Sequence, residues 1–206
     1  MSVYTVVEEQ QLVEFLQDYD VGHLESFEGI SAGIENTNYF VNTHHLGQQQ
    51  QFVLTIFEHH TFAELPYFLN IMAFMAEHNI PTAHPMPTHS GGYLKELGGK
   101  PAALVERLVG GTVDHPSTIK CGVMGGQLAK FHIAGQGYEE NRENDRGIDW
   151  MAVTYAEIKN HLTAEDSLLI ESELAYQNSV DYASLPQGVI HADLFCDNAM
   201  FNGDTL

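Results

Sequence analysis

Basic residues are scarce and unevenly placed. Eight Lys and Arg stand against 28 Asp and Glu in 206 residues, a formal net charge of −20. Lys95 is the first of the eight, so everything before it lacks a fixed positive side chain. That balance repels the phosphate backbone of nucleic acids and anionic membrane surfaces, leaving small molecules and proteins as partners. Cysteine is nearly as rare. Cys121 and Cys196 lie far apart in sequence and lack metal-ligand spacing, which excludes a disulfide framework and a zinc site of the usual pattern. The opening Met1-Ser2-Val3-Tyr4 has neither the basic nor the apolar region of a signal peptide, so a cytoplasmic protein with reduced thiols is expected. No apolar run approaches the roughly 20 residues that span a bilayer, so no membrane partner is expected. What is present is ordinary: 44% hydrophobic residues and a mean hydropathy of −0.17 describe a globular chain, long enough for one sizeable core or two small lobes.

Periodicity divides the chain in two. Residues Glu8 to Tyr19 place Leu12, Phe15, Leu16 and Tyr19 on one helical face, with acids in the first turn where the helix dipole favours them. Strand patterns follow at Leu24 to Ile30, Tyr39 to Asn42 and Phe52 to Phe57, with Thr43 to Gln51 expected as a polar hairpin loop. Ala63 to His78 sets Leu65, Phe68, Leu69, Met72 and Met75 at helical spacing and stops before Pro81. Two further strands are expected at Tyr93 to Leu97 and Ala102 to Leu108, joined through Gly98-Gly99-Lys100. From Ser117 the pattern is helical, through Val123, Leu128 and Phe131 to His132, read as a packed helix-end histidine. It continues over Met151 to His161 and Ala164 to Tyr182.

Two loops carry chemistry. Between the first two strands, Gly29 and Gly33 with small residues between them let backbone N–H groups approach phosphate oxygens, or simply make a turn. The second loop is Gly188-Val189-Ile190-His191-Ala192-Asp193-Leu194-Phe195-Cys196-Asp197-Asn198-Ala199-Met200-Phe201, read as a polar turn between two short buried strands. Asp193 and Asn198 stand five residues apart, so a tight turn aims a carboxylate and a carboxamide into one cleft. The carboxylate suits accepting a hydroxyl proton, and the carboxamide oxygen suits Mg2+, a hard cation that takes few protein ligands. The plain alternative is a turn in which His191 packs and Asp193 caps.

The pattern H-x-D-x-x-x-x-N has the spacing of the protein-kinase catalytic loop. Its wording, H-A-D-L-F-x-D-N, resembles the aminoglycoside phosphotransferase and choline kinase group, and within it the bacterial type II homoserine kinases, with Cys196 at x where those relatives usually have Arg or Pro. The loop G-I-S-A-G-I-E-N-T-N-Y, with Asn36 and Asn38 after the second glycine, resembles the nucleotide loop of the same kinases. L-A-K-F-H-I-A-G resembles the L-x-x-L-H-x-A-G helix of the kinase group, and the stretch Arg142 to Trp150 resembles the R-x-N-x-x-G-x-x-W segment of homoserine kinases. The resemblance extends to a departure from protein kinases: Thr55 stands where their third strand carries a lysine, and no register shift restores one.

The resemblance implies an α+β, protein-kinase-like fold. An antiparallel β N-terminal lobe with one helix would span residues 1–105, a hinge 106–110, and a mainly helical C-terminal lobe 111–206. It implies ATP and Mg2+ as cofactors and phosphorylation of a small alcohol, most simply the hydroxyl of L-homoserine. Choline, an aminoglycoside or a sugar amine is the alternative substrate, and a non-catalytic nucleotide-binding module the alternative class. Asp193 would be the base and His191 its brace, with Asn198 on the metal. Gly29, Gly33, Asn36, Asn38 and Thr55 would lie around the phosphates, and the Glu106 and Leu108 backbone at the adenine edge. Arg142, Arg146 and Asp197 are candidates for the substrate, although the two arginines equally suit pairing with neighbouring acids. Relatives carry a further metal-binding aspartate beyond Asn198, and Asp204 comes too early to serve. A C-terminally truncated chain, self-associating through apolar surface, is therefore expected.

Overall fold

The computed structural model describes residues 4–31 and 35–206. Two compact units are distinguished: one formed by residues up to Tyr138 together with Val189–Leu206, the other by Glu139–Gly188.

The first unit is built on an antiparallel sheet of β1 (His23–Ile30), β2 (Thr37–His45), β3 (Gln48–Ile56), β4 (Leu94–Leu97) and β5 (Lys100–Glu106), in the order β1-β2-β3-β5-β4. Alternation sends Tyr39, Val41, Phe52, Leu54, Ile56, Ala102 and Leu104 to one face, all buried. Helix α1 (Glu9–Leu16) lays Leu12, Phe15 and Leu16 on that core. Its start is fixed by a capping box in which Glu8 and Gln11 satisfy each other's backbone N–H groups. Each large side chain buried there contributes about 1.5–3 kcal/mol of hydrophobic stabilisation.

The other face keeps Asn38, Phe40, Val53 and Thr55 half-buried. Helix α2 (Leu65–Glu77) follows, so two helices, not one, accompany the sheet. It buries Leu65, Leu69, Ala73 and Met75. Phe68, at the same helical spacing as the buried residues, is exposed, and Met72 only half-buried, because the buried stripe is narrower than the apolar spacing. The helix is capped at His78, and Asn79 beyond it, with φ of 59°, turns the chain before Pro81.

The expected loop Thr43 to Gln51 is instead strand almost throughout. His45 pairs with Gln48, and only Leu46 and Gly47 turn, at φ of 49° and 82°. Two consecutive positive φ values match the twist of a tight hairpin, so the polar Gln run pairs in register and does not loop out. Lys100 likewise belongs to β5, paired with Leu97 across Gly98-Gly99.

A buried polar cluster closes one end of the sheet. The Glu58 carboxylate, 5% exposed, pairs with Lys100 and accepts hydrogen bonds from Thr5 Oγ1 (2.8 Å) and Thr37 Oγ1 (2.5 Å). Thr37 Oγ1 in turn accepts from the backbone N–H groups of Tyr4 and Thr5, tying the N-terminal segment to the sheet. Burial pushes the Glu58 carboxyl up. The hydrogen bonds from Lys100, Thr37 and Thr5 and the Lys100 charge outweigh it, holding the group below the usual carboxylate range.

Helix α3 (Thr118–Gly135) completes the first unit's helices, capped by Ser117, whose hydroxyl accepts from the Lys120 N–H at 3.3 Å. Its apolar residues Val123, Leu128 and Phe131 are half-buried, and His132, expected to pack, is exposed. In the second unit, α4 (Ile148–Ile158) and α5 (Ala164–Ser179) are joined through a short 3₁₀ turn at Lys159–His161. There Tyr155 Oη donates to Glu171 at 2.7 Å, and Lys159 pairs with the same carboxylate. Among the described residues no helix is long and apolar enough to cross a membrane.

Candidate active site

The site is assembled from the end of β5, one face of α3 and the loop after Gly188, all in the first unit. Beyond β5 the chain runs extended. The Arg107 N–H donates to Gln51 O at 3.1 Å on the β3 side, and the Glu106 N–H to His84 O at 2.9 Å on the other. Strand alternation therefore turns the Glu106 and Leu108 backbone groups to the edge away from β3. Gly110 then passes close to the segment following the loop. At its φ of 137° an added Cβ would meet Phe201 O at 2.8 Å, and neighbouring Gly111 pairs with Phe201 in a β-bridge. Only glycine fits this crossing.

The polar loop takes its shape from two local devices. Ala192 adopts φ of 64°, a left-handed conformation that costs a non-glycine residue about 1 kcal/mol, and this reverses the chain between His191 and Asp193. The Asp193 N–H then donates back to His191 Nδ1 at 3.4 Å. A 3₁₀ turn at Cys196–Asn198 brings Asn198 round, so that its Nδ2 donates to Asp193 O at 2.7 Å and to Asp193 Oδ2 at 3.0 Å. The five-residue spacing is thus a closed polar turn with Asp193 exposed and one carboxylate oxygen outside the Asn198 bond.

The two flanking strands expected around this loop do not form. Among the described residues Val189 and Ile190 have no strand partner, and Ile190 is 66% exposed; Phe201 makes a single bridge, to Gly111, although it and Ala199 are buried. A strand is defined by its neighbour, so β-branched residues alone do not make one. Behind the loop, Lys120 bonds Gly203 O and pairs with Asp204 at 3.2 Å, its ammonium 4.7 Å from the centre of the Phe201 ring. Nothing in the sequence pattern had singled out Lys120 or Ala192.

A cavity of about 390 Å³ joins these parts. Ile80 to Ala83, Leu108 and Val109 line one side, Gln127 and Phe131 of α3 another, and His191, Asp197, Asn198 and Met200 the loop side. His191 also sits 6.3 Å, ring to ring, from Phe131. Of the anticipated residues, Leu108, His191, Asp197 and Asn198 meet at this cavity, and Asp193 joins them through Asn198.

Others sit elsewhere. Asn38 and Thr55 face each other across β2 and β3, with Thr55 Oγ1 donating to Asn38 Oδ1 at 2.8 Å. Gly29 is a strand residue opposite Tyr39, and the Asn36 carboxamide oxygen is buried without a hydrogen-bond partner among the described residues. Gly33 lies outside the described residues. On the same sheet face, the Arg107 guanidinium stacks 4.0 Å from the Phe40 ring, a placement to which no local pattern pointed. Arg142 and Arg146 belong to the second unit. Arg142 pairs with Asp145, and Arg146 lies 4.7 Å over the Trp150 ring.

Comparison with known proteins shows the family and the fold. The sequence profile of the Phosphotransferase enzyme family matches residues 26–206. The chain belongs to that family. Its relatives include proteins named Homoserine kinase from Methylobacillus flagellatus, 43% identical over 204 residues, and from Cupriavidus necator, 42% identical over 208 residues. Both alignments take in 99% of this chain and 63% of the relative, so the chain spans under two thirds of their length.

Two solved structures of the family's fold superpose on it. An amicoumacin kinase in complex with AMP-PNP, Ca2+ and its ligand has a TM-score of 0.70 at 14% identity, over 96% of this chain and 62% of that one. A spectinomycin phosphotransferase in complex with ADP and spectinomycin has a TM-score of 0.62 at 12% identity, over 97% and 67%. The fold is accordingly α+β and protein-kinase-like.

Proposed function

We propose that this chain is the nucleotide- and hydroxyl-handling part of an ATP-dependent phosphotransferase whose substrate is L-homoserine. The observation that carries the reading is the Asp193–Asn198 pair at the edge of a cavity that Leu108 also lines. Asp193, exposed and with one carboxylate oxygen outside the Asn198 bond, accepts the proton of the attacking hydroxyl and orients it. Asn198 and His191 hold that carboxylate in place from either side, one through its Nδ2 and the other through the Asp193 N–H. The adenine edge lies against the backbone of Glu106 and Leu108, and the phosphates lie toward Asn38 and Thr55. Phosphoryl transfer asks mainly for such positioning and for charge neutralisation.

The donor set agrees with Mg2+ held jointly with phosphates. The Asn198 Nδ2 is taken by Asp193, leaving the carboxamide oxygen, and Asp197 lines the same cavity. No group of three or more His, Cys, Asp or Glu suited to a metal occurs among the described residues. Mg2+ commonly takes only one or two protein oxygens beside phosphate and water. When bound it would neutralise the phosphate charge that no lysine of β3 can meet.

Homoserine, over choline or an aminoglycoside, is favoured by the 43% identity with a homoserine kinase. The test is coupled ADP release with ATP and Mg2+ on L-homoserine, choline and an aminoglycoside. Turnover on homoserine alone is expected. Turnover on the cationic substrates alone replaces the substrate, and nucleotide binding without turnover on any of them reduces the chain to a binding module.

A further inference from the structure

The two cysteines, distant in sequence, line one cavity. Cys121, on the first turns of α3, and Cys196, at the start of the 3₁₀ turn that carries Asp197 and Asn198, both line a second cavity of about 250 Å³. Both are free thiols and both are exposed. The cavity is otherwise largely apolar, with Phe195 and Phe201 among its walls. Met124, Leu128, Leu194 and Ala199 line it and the larger cavity alike, so the two hollows share one wall.

We propose that Cys121 and Cys196 are a dithiol modification site, which a small-molecule disulfide converts into an intrachain disulfide that ties α3 to the turn bearing Asp197 and Asn198. One thiol, having given its proton to solvent, attacks a sulfur of the reagent disulfide. That S–S bond breaks, and half of the reagent leaves as a thiolate that takes up a proton. The second thiol attacks the mixed disulfide at the protein sulfur and expels the other half in the same way. The protein loses two protons and two electrons, and the reagent is reduced to two thiols. A disulfide holds its two β-carbons about 3.5–4.5 Å apart, so the bond draws the α3 backbone and the turn together across the cavity. The shared wall moves with them. The expected consequence, which rests on the nucleotide reading above, is weaker nucleotide binding in the oxidised chain.

The chain and its Cys121→Ser and Cys196→Ser variants are incubated with oxidised glutathione, and intact mass is read under denaturing, non-reducing conditions. The parent is expected to lose the two hydrogens of a new disulfide and keep no glutathione, while each variant keeps one glutathione on its remaining cysteine. A parent that retains glutathione, stays reduced or links to a second copy overturns the site. ADP affinity is then compared before oxidation, after it and after dithiothreitol. A several-fold loss that dithiothreitol reverses supports the coupling through the wall, and unchanged affinity in a chain shown by mass to be bridged overturns it. Failure of the reduced parent to bind ADP would instead count against the nucleotide reading, leaving the mass result to stand by itself.

Discussion

The sheet and the Asp193 loop, both in the first unit, are built to opposite rules. In the sheet, Leu54, Ile56, Ala102 and Leu104 are fully buried, and just beyond β3 the Glu58 carboxylate is enclosed by Thr5, Thr37 and Lys100. In the loop, Phe195 is 70% exposed, Ala192 sits in a left-handed conformation, and Asp193 and Asn198 satisfy each other at the surface. The sheet is held by area removed from water, the loop by a few directional bonds. Stability and chemistry are thus placed in different residues, and substitutions should separate them.

The sharpest test is Asp193→Asn. Loss of a positioned general base lowers transfer by about 10²–10⁴-fold, whereas thermal stability and ATP affinity should stay within a few-fold of the parent because the residue is exposed. A variant keeping near-parental rates removes Asp193 from the base role. The converse is Leu54→Ala, which empties a fully buried position and should cost about 2–5 kcal/mol in denaturant unfolding. Leu168→Ala, at 66% exposure on α5, is the control and should stay within about 0.5 kcal/mol.

Much of this division could be read from the residues. Alternation in Phe52 to Phe57 and the 3.6-residue spacing in α1 named the core before any strand was paired, because burial acts on side chains one at a time. The extent of β2 and β3 could not be read, since the Gln run is polar and its pairing depends on a two-residue turn at Leu46-Gly47. At the site, the spacing of Asp193 and Asn198 foreshadowed their contact. The Ala192 conformation did not show, because alanine carries no mark of a left-handed turn.

Smaller effects refine the contrast. Lys100→Met leaves Glu58 buried without its counter-charge, a loss of about 1–3 kcal/mol given the partly exposed lysine. The folded Glu58 carboxyl lies below its ordinary range, so its contribution is complete above that range and disappears as pH falls through the folded value. In the variant the lowering by Lys100 is lost, so the carboxyl takes up its proton at a higher pH than in the parent and acid neutralises it. Urea titrations should therefore show the gap between parent and variant narrowing as the pH is lowered through the carboxylate range. Least of all, Leu46→Asn at the exposed hairpin turn should stabilise by about 0.5–1 kcal/mol, since Asn tolerates positive φ better than Leu.

The sequence by itself determined the order of the main helices and strands, the core face of α1 and β3, the scarcity of positive charge and the spacing of the polar loop. All of these depend on neighbours within a few residues or on composition. Tertiary structure alone decided which cysteines share a cavity, where Lys120 and Arg107 are placed, how Lys100 encloses Glu58, and that Leu108 and Asn198 line one hollow. Those relations join residues tens of positions apart, and no local pattern carries the distance between them.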